Sequence, residues 1–317
     1  MESKYFMCIV TENRMKEYLV FDWGGTALKY ALMNEEGEIL EKGEVPSPAR
    51  TASKEEFLSV IDEIVKPVQS RIEGIAISSP GIIDPVQGII HVVAVFPYLN
   101  ECNIKREFEE RYSLPVSIEN DGKSAALAEV FKGSLKSVEC GAVMLIGTGI
   151  GGGLIIDGKL HRGKSFSAGE FSMVCTDIYH AHLKESYWSD LGYRGLFRRL
   201  QLITGEDVSQ MNGHQFFERV ENGDPDAKKA LKQYTDHLAV MLYSLNALLD
   251  LEVISIGGGI SKQPALMASL EQSIADLPSY NPDMLAGVIL PLPRVCTCAF
   301  YNDANLIGAL YHHLHEN

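Results

Sequence analysis

Apolar residues in this chain come in short β-type runs that end on glycine, separated by stretches with the spacing of amphipathic helices. Tyr18-Leu19-Val20-Phe21 reads as a buried strand, Asp22-Trp23-Gly24-Gly25-Thr26 as a turn, and residues 28–33 as a second strand. A turn at 34–37 leads to a third strand near 39–45 and a loop over 46–52. Phe57, Val60, Ile61, Ile64, Val65 and Val68 then give 53–70 the stripe of a helix. Residues 74–78 form a buried strand running into Ser79-Pro80-Gly81, with a further turn at Gln87-Gly88. A short helix spans 104–112, a strand 116–119, and Asn120-Asp121-Gly122 opens a helix over 123–131.

The strand, glycine-threonine turn, strand pattern then returns. Ala142 to Ile146 enters Gly147-Thr148-Gly149, Leu154 to Ile156 leaves Gly151-Gly152-Gly153, and Asp157-Gly158 supplies a hairpin turn. Two such hairpins far apart in sequence predict two similar half-folds. Residues 176–190 are irregular and aromatic. Helical spacing covers 191–203, 214–220 and 225–249, and a strand at 251–256 enters Gly257-Gly258-Gly259 before a helix after Pro264. A strand at 295–300 and a helix at 303–314, packed back on the first domain, complete the alternation. Strands interleaved with helices predict an α/β protein with a largely parallel core and ligands at the carboxyl ends of the strands.

The glycine turns are where chemistry is expected. A loop without Cβ atoms exposes backbone N–H groups to phosphate oxygens, and a threonine hydroxyl adds a donor. Gly147, Gly149 and Gly152 also fit G-x-G-x-x-G, with Glu170 near the acidic offset of a dinucleotide site. That reading fails, because the motif must open a helix and here a β-branched strand follows. Asp22 ends the first strand, where it can face a metal-bound phosphate or simply close a turn. Asp121 stands at a strand end beside a helix start, where it can cap the helix or accept a proton from a hydroxyl in the cleft. Ser79 and the Gly81 amide are either substrate contacts or a proline-glycine turn.

Charge and cysteines narrow the partners. The 317 residues carry a formal charge of −14, which argues against the basic face that nucleic acid requires. A phosphate ligand must therefore be held locally, by loop amides and a divalent cation. The six cysteines are scattered with no C-x-x-C pair, which implies a reducing, cytoplasmic setting. No apolar run approaches the roughly 20 residues of a membrane span, and the first 16 residues do not read as a signal peptide. His180-Ala181-His182 lacks the further ligands of a zinc site.

Together these segments resemble the ROK family of sugar kinases, within the actin-like (RNase H-like) ATPase fold. The likeness runs from Tyr18 onward. It is carried by Asp22-x-Gly24-Gly25-Thr26 with Lys29, Ser79-Pro80-Gly81-Ile82-Ile83-Asp84, Glu119-Asn120-Asp121, Gly147-Thr148-Gly149, Ala168-Gly169-Glu170, Gly257-Gly258-Gly259 and Asp303 with Gly308-Ala309. The resemblance implies two α/β domains flanking an ATP and sugar cleft, the smaller of residues 18–121 with 303–317 and the larger of 122–302, after an extension over 1–17. It implies that Asp22, Gly24, Gly25, Thr26, Lys29, Gly147, Thr148 and Gly149 meet the ATP phosphates and Mg²⁺ near Asp22, and that Gly257, Gly258 and Gly259 lie near the adenosine. Ser79, Gly81, Asn120, Asp121 and Glu170 would hold the sugar, with Asp121 as catalytic base. A homodimer is common among such relatives.

The departures from the family pattern carry information too. Members usually have Glu-x-Gly-His followed by a cysteine-rich zinc motif, whereas this chain reads Glu170-Phe171-Ser172-Met173 with only Cys175 after it. No structural zinc is expected. This run, together with Gly25-Thr26-Ala27-Leu28-Lys29 and Asn302-Asp303-Ala304, is most similar to the β-glucoside kinase branch, whose members phosphorylate the 6-hydroxyl of the non-reducing glucose in disaccharides such as cellobiose. A glucokinase, an N-acetylmannosamine kinase and a catalytically silent sugar-binding protein are the alternatives. The sugar-responsive repressors among such relatives carry a helix-turn-helix unit, and about 17 residues before the first strand are too few for one. No G-x-x-x-x-G-K-[ST] of a P-loop kinase occurs.

Overall fold

The computed structural model describes residues 15–280 and 290–315, so residues 1–14 of the expected extension, with Cys8, lie outside the described residues. The first half opens with β1 (Glu17–Trp23), every residue of which is buried, then β2 (Ala27–Asn34) and β3 (Ile39–Pro46). Helix α1 (Lys54–Val65) starts on a capping box in which Ser53 and Glu56 satisfy each other's backbone N–H groups. It ends five residues before the predicted 70. Pro67 explains the difference: Lys66 keeps helical angles and donates to the Asp62 oxygen, but proline has no N–H with which to continue the ladder.

Strand β4 (Ile72–Ser79) is followed by β5 (Ile82–Asp84), β6 (Ile89–Val92) and β7 (Cys102–Asn103), a small three-stranded sheet that the sequence pattern had shown only as turns. Then come α2 (Ile104–Tyr112), β8 (Val116–Asn120) and α3 (Asp121–Lys132). The second half repeats the plan with β9 (Gly141–Ile146), β10 (Ile150–Ile156) and β11 (Lys159–His161). After the irregular segment follow α4 (Tyr193–Thr204), α5 (Gly213–Glu221), α6 (Pro225–Leu249), β12 (Val253–Gly258), α7 (Pro264–Tyr280) and β13 (Arg294–Thr297), and the described chain closes on α8 (Ala304–His315).

The two large sheets have the same order. One runs β3-β2-β1-β4-β8 and the other β11-β10-β9-β12-β13. In each, the first three strands form an antiparallel meander and the last two lie parallel to the first strand. This duplication is what the repeated hairpins predicted, and it gives the mixed α/β architecture of the actin-like fold. One expectation needs correcting: Gly151, Gly152 and Gly153 are not loop residues but lie inside β10, paired with Leu145, Met144 and Val143. The turn at Asp157 and Gly158 is as expected, with φ of 53° and 71°, the left-handed pair that a two-residue hairpin requires.

Helices α3 and α8 form the layer between the sheets. Their apolar residues Ala125, Ala126, Ala128, Leu306, Ala309 and Leu310 pack with Val20 of β1 and Ala76 of β4 on one side and with Val143 of β9 and Ile155 of β10 on the other. The two helices touch through backbone, because a Cβ on Gly308 would stand 1.6 Å from the Ser124 carbonyl oxygen. Separate cores fill the outer faces, one around Trp23, Phe57, Phe96 and Phe108, the other around Phe197, Phe216, Tyr234 and Leu242.

Candidate active site

A cavity of about 450 Å³ opens between the carboxyl ends of β1 and β9 and the N-terminus of α3. Asp121 enters it as the first residue of α3. The helix cap is Asn120, whose Oδ1 accepts from the Lys123 N–H at 3.1 Å, so Asp121 is released from capping. Asp121 Oδ1 accepts from the Gly122 N–H at 2.8 Å, which leaves its other oxygen for a ligand. Removal from water pushes the Asp121 carboxyl up to about 6, helped by the negative charges of Asp22 and Glu170 and opposed by the Gly122 N–H and the Lys123 ammonium. The turn that carries it is anchored from beneath. Fully buried Glu119 accepts from the Arg162 Nε at 2.7 Å and from the Asn120 N–H at 2.7 Å.

Glycines bring this helix start onto the second sheet. A Cβ on Gly122 would lie 2.8 Å from both the N and O of Gly152, and one on Gly153 would lie 2.7 Å from the Ala126 Cβ. Gly169 closes on the same strand, 3.1 Å from the Gly152 oxygen by the same measure and with φ of 86°. Asp121, the glycine turn and Glu170 therefore meet because three backbones pass without side chains between them.

On the opposite wall stands Asp22, 8% exposed, facing Lys29 across the β1–β2 pair with Nζ at 3.9 Å. Asn305 of α8 donates to Asp22 Oδ1 at 2.9 Å. Burial raises the Asp22 carboxyl above its ordinary value, and the Asn305 hydrogen bond and the Lys29 charge counter that. The turn between β9 and β10 is closed by the Gly147 N–H donating to the Gly149 oxygen at 2.9 Å. Ser172 braces it: its Oγ accepts from the Ile150 N–H at 2.9 Å and donates to the Ile150 oxygen at 3.0 Å. Where Gly151 and Gly259 line the cavity, nothing stands within 4 Å of the position a Cβ would take, so a ligand can approach their backbones directly.

The expected site residues divide on this geometry. Asp22, Lys29, Asp121, Gly147, Gly149, Glu170, Gly258 and Gly259 line the cavity. Gly24, Gly25, Thr26 and Thr148 sit in the two turns at its edge and are not part of the lining. Gly257 faces inward, with the Leu145 and Cys298 side chains where its Cβ would be. Asn120 spends its amide on a second internal bond, donating to the Gly81 oxygen at 2.9 Å. Ser79 is buried and donates to the Pro80 oxygen at 3.1 Å, and Gly81 holds a φ of 109° against the Val92 carbonyl. Tyr301 and Asn305 line the cavity without having been singled out, and Asn302 and Ser172 line it although they were named only as motif positions and not as site residues. Ser172 was signalled by standing where the family pattern has glycine; Asn305 gave no signal, since a helical asparagine reveals its partner only in three dimensions.

Among the described residues no cluster of three or more His, Cys, Asp or Glu side chains is arranged to hold a metal. His180 is exposed and pairs with Asp177 at 2.7 Å instead. No helix among them is long and apolar enough to cross a membrane.

Residues 18–314 match the model of the ROK family. A β-glucoside kinase of Listeria innocua is 32% identical over 304 residues, covering 93% of this chain and 97% of the relative. A β-glucoside kinase of Klebsiella pneumoniae is 32% identical over 302 residues, covering 92% and 94%. Among solved structures, a ROK family protein of Streptococcus pneumoniae in complex with sucrose superposes with a TM-score of 0.83 at 29% identity, covering 95% of this chain and 98% of that one. With two like half-folds around a carboxylate-lined cavity and a family match over nearly the whole length, the chain belongs to the ROK family.

Proposed function

We propose that the protein is an ATP-dependent sugar kinase that transfers the γ-phosphoryl group to the 6-hydroxyl of a glucose unit in a β-glucoside such as cellobiose. The observation that carries this reading is Asp121: a carboxylate pushed up to about 6, with one oxygen free, opposite a glycine turn and Asp22 in one cavity. Such a group is ionised at neutral pH yet basic enough to accept a hydroxyl proton.

In the proposed reaction the sugar O6–H proton passes to the free oxygen of Asp121 as O6 bonds to the γ-phosphorus. The bond from that phosphorus to the β,γ-bridging oxygen breaks, ADP leaves, and Asp121 returns its proton to solvent. Glu170 and the Gly81 N–H bind the sugar hydroxyls, with Asn120 fixing the Gly81 turn. The turn amides around Gly147 to Gly151 receive the phosphates, and Gly258 and Gly259 border the nucleoside. Asp22, held by Asn305 and beside Lys29, offers the hard oxygen that Mg²⁺ prefers. The ion, carried on ATP, supplies charge neutralisation during transfer.

The division into 18–121 with 303–317 against 122–302 belongs to this proposal, the two bodies closing on the cleft to exclude water. So does a cytoplasmic setting, supported by free thiols at Cys102, Cys140, Cys175, Cys296 and Cys298. Two features support a β-glucoside over a free hexose: the 32% identity to two β-glucoside kinases, and Met173, which stands where the family pattern has histidine and is 73% exposed rather than filling the pocket. The test is coupled ADP release with Mg-ATP against cellobiose, gentiobiose, glucose and N-acetylmannosamine. A higher kcat/KM on the disaccharides is expected. Preference for a free monosaccharide would overturn the substrate, and silence on all four would overturn the activity.

A further inference from the structure

Two residues beyond Asp121, Lys123 is 1% exposed and its Nζ has no hydrogen-bond partner among the described residues. The nearest opposite charge is Glu170 Oε1 at 3.7 Å, too far for a hydrogen bond, on a side chain that is 39% exposed to the cleft. A buried ammonium left with three unmet donors is costly, and a methionine of similar length would occupy the same space without that cost. The placement is no accident of helix packing alone. The Lys123 Cα lies 3.4 Å from where a Cβ on Gly153 would be, and Gly169, next to Glu170, crosses the same strand at Gly152 and Gly153. Helix start, glycine strand and Glu170 turn thus pass close together, and the lysine ammonium ends 3.7 Å from the carboxylate. Its charge also reaches Asp121, where it favours the ionised form.

We propose that Lys123 is a positioning residue for sugar recognition: it holds the Glu170 carboxylate in the orientation that receives the sugar hydroxyls, and the 3.7 Å gap closes to a charge-assisted hydrogen bond when a sugar fixes that carboxylate. The pair then works as a spring-loaded support. Without sugar, the carboxylate is half in water and the ammonium is unsatisfied. With sugar bound, both are satisfied, and part of the binding free energy comes from an interaction within the protein rather than from a new contact. This inference rests on the sugar-kinase reading of the same cavity, and it assigns a role that neither Asp121 nor the phosphate turns can fill.

The experiment is a double-mutant cycle of K123M and E170Q, read by calorimetric titration of cellobiose and glucose into the full chain and by steady-state kinetics. K123M is expected to weaken sugar binding and raise sugar KM by about 10- to 100-fold, the range of one hydrogen bond to a charged group. The KM for ATP should stay within about two-fold and the melting temperature should be equal or higher, because an unsatisfied buried charge is removed. In the E170Q background K123M should change sugar binding little, since the lysine acts through that carboxylate. K123R, which keeps the charge, should recover part of the affinity. A K123M protein that binds sugar as the wild type does, or effects of K123M and E170Q that simply add, would overturn the role of Lys123 while leaving the kinase reading intact. A wild-type chain that neither binds nor phosphorylates any sugar would overturn both.

Discussion

The β1–β2 and β9–β10 hairpins occupy the same place in two sheets of the same strand order, yet they bring different chemistry to the cavity. The first works with side chains: Asp22 and Lys29, paired across the ladder, both line it, whereas Gly24, Gly25 and Thr26 in the turn do not. The second works with backbone: Gly147, Gly149 and Gly151 line it and bear no side chain at all. A duplicated scaffold has thus been loaded asymmetrically, with charge on one wall and amides on the other. Phosphoryl transfer asks for that division, because a metal-borne charge is best met by a buried carboxylate and phosphate oxygens by preorganised N–H groups. Asp121, the carboxylate proposed as the base, comes from neither hairpin but from α3, the helix packed between both sheets.

The largest effect should come from that shared helix. Asp121→Asn is expected to lower kcat by about 10²- to 10⁴-fold, the range of a lost general base, with sugar affinity nearly unchanged by calorimetry. A variant with near-normal kcat would remove Asp121 from the mechanism. In the wild type, activity should fall on the acid side as pH drops through about 6, where the carboxyl takes up its proton. Stability moves the other way. Because the folded-state carboxyl sits near 6, above its unfolded value, ionising it in the fold costs stability that is fully restored below the unfolded value and lost as pH rises through about 6. Asp121→Asn should therefore melt above the wild type at pH 8 and level with it near pH 3.5.

Two glycine substitutions separate scaffold from amide chemistry. Gly122→Ala puts a methyl 2.8 Å from the Gly152 backbone, so α3 must shift and carry Asp121 with it. A loss of about 10² in kcat/KM is expected, since small displacements of a catalytic group are that expensive, together with a lower melting temperature. Gly151→Ala puts a methyl into open cavity with nothing within 4 Å. It should leave the melting temperature unchanged and raise the KM for ATP by about 10-fold, the scale of one or two lost amide contacts. Equal behaviour of the two variants in melting and in ATP KM would dissolve the distinction between a wall of amides and the strand contact beneath it.

The sequence was most informative where one rule governed one segment. Hairpin repetition predicted the duplicated sheets, the apolar stripe from Phe57 to Val65 marked α1, and Asp157-Gly158 marked its turn. It was least informative where a glycine's purpose depends on what lies across from it. Gly151 to Gly153 read as loop because glycine disfavours strands, and they are strand because Gly122, Ala126 and Gly169 must come close. Of the site, Asp22, Asp121 and Glu170 stood out as carboxylates at strand ends and in motif positions. Asn305 and Lys123 did not, for their roles arise from partners 283 and 47 positions away.

The smallest expected effect tests how firmly the amide wall is held. Ser172 makes both of its bonds to one residue, accepting from the Ile150 N–H and donating to the Ile150 oxygen, where β10 leaves the glycine turn. Ile150 is buried, so loss of the hydroxyl leaves its backbone groups poorly satisfied, and each such neutral bond contributes about 1 kcal/mol. Yet the strand pairing of Ile150 with Ile146 remains, and the Gly147 to Gly149 bond still closes the turn. Ser172→Ala should therefore raise the KM for ATP by only about two- to five-fold and leave sugar KM alone. A change in sugar KM instead would mean that Ser172, two residues past Glu170, braces the sugar wall rather than the phosphate wall, and the boundary between the two would move to β10 itself.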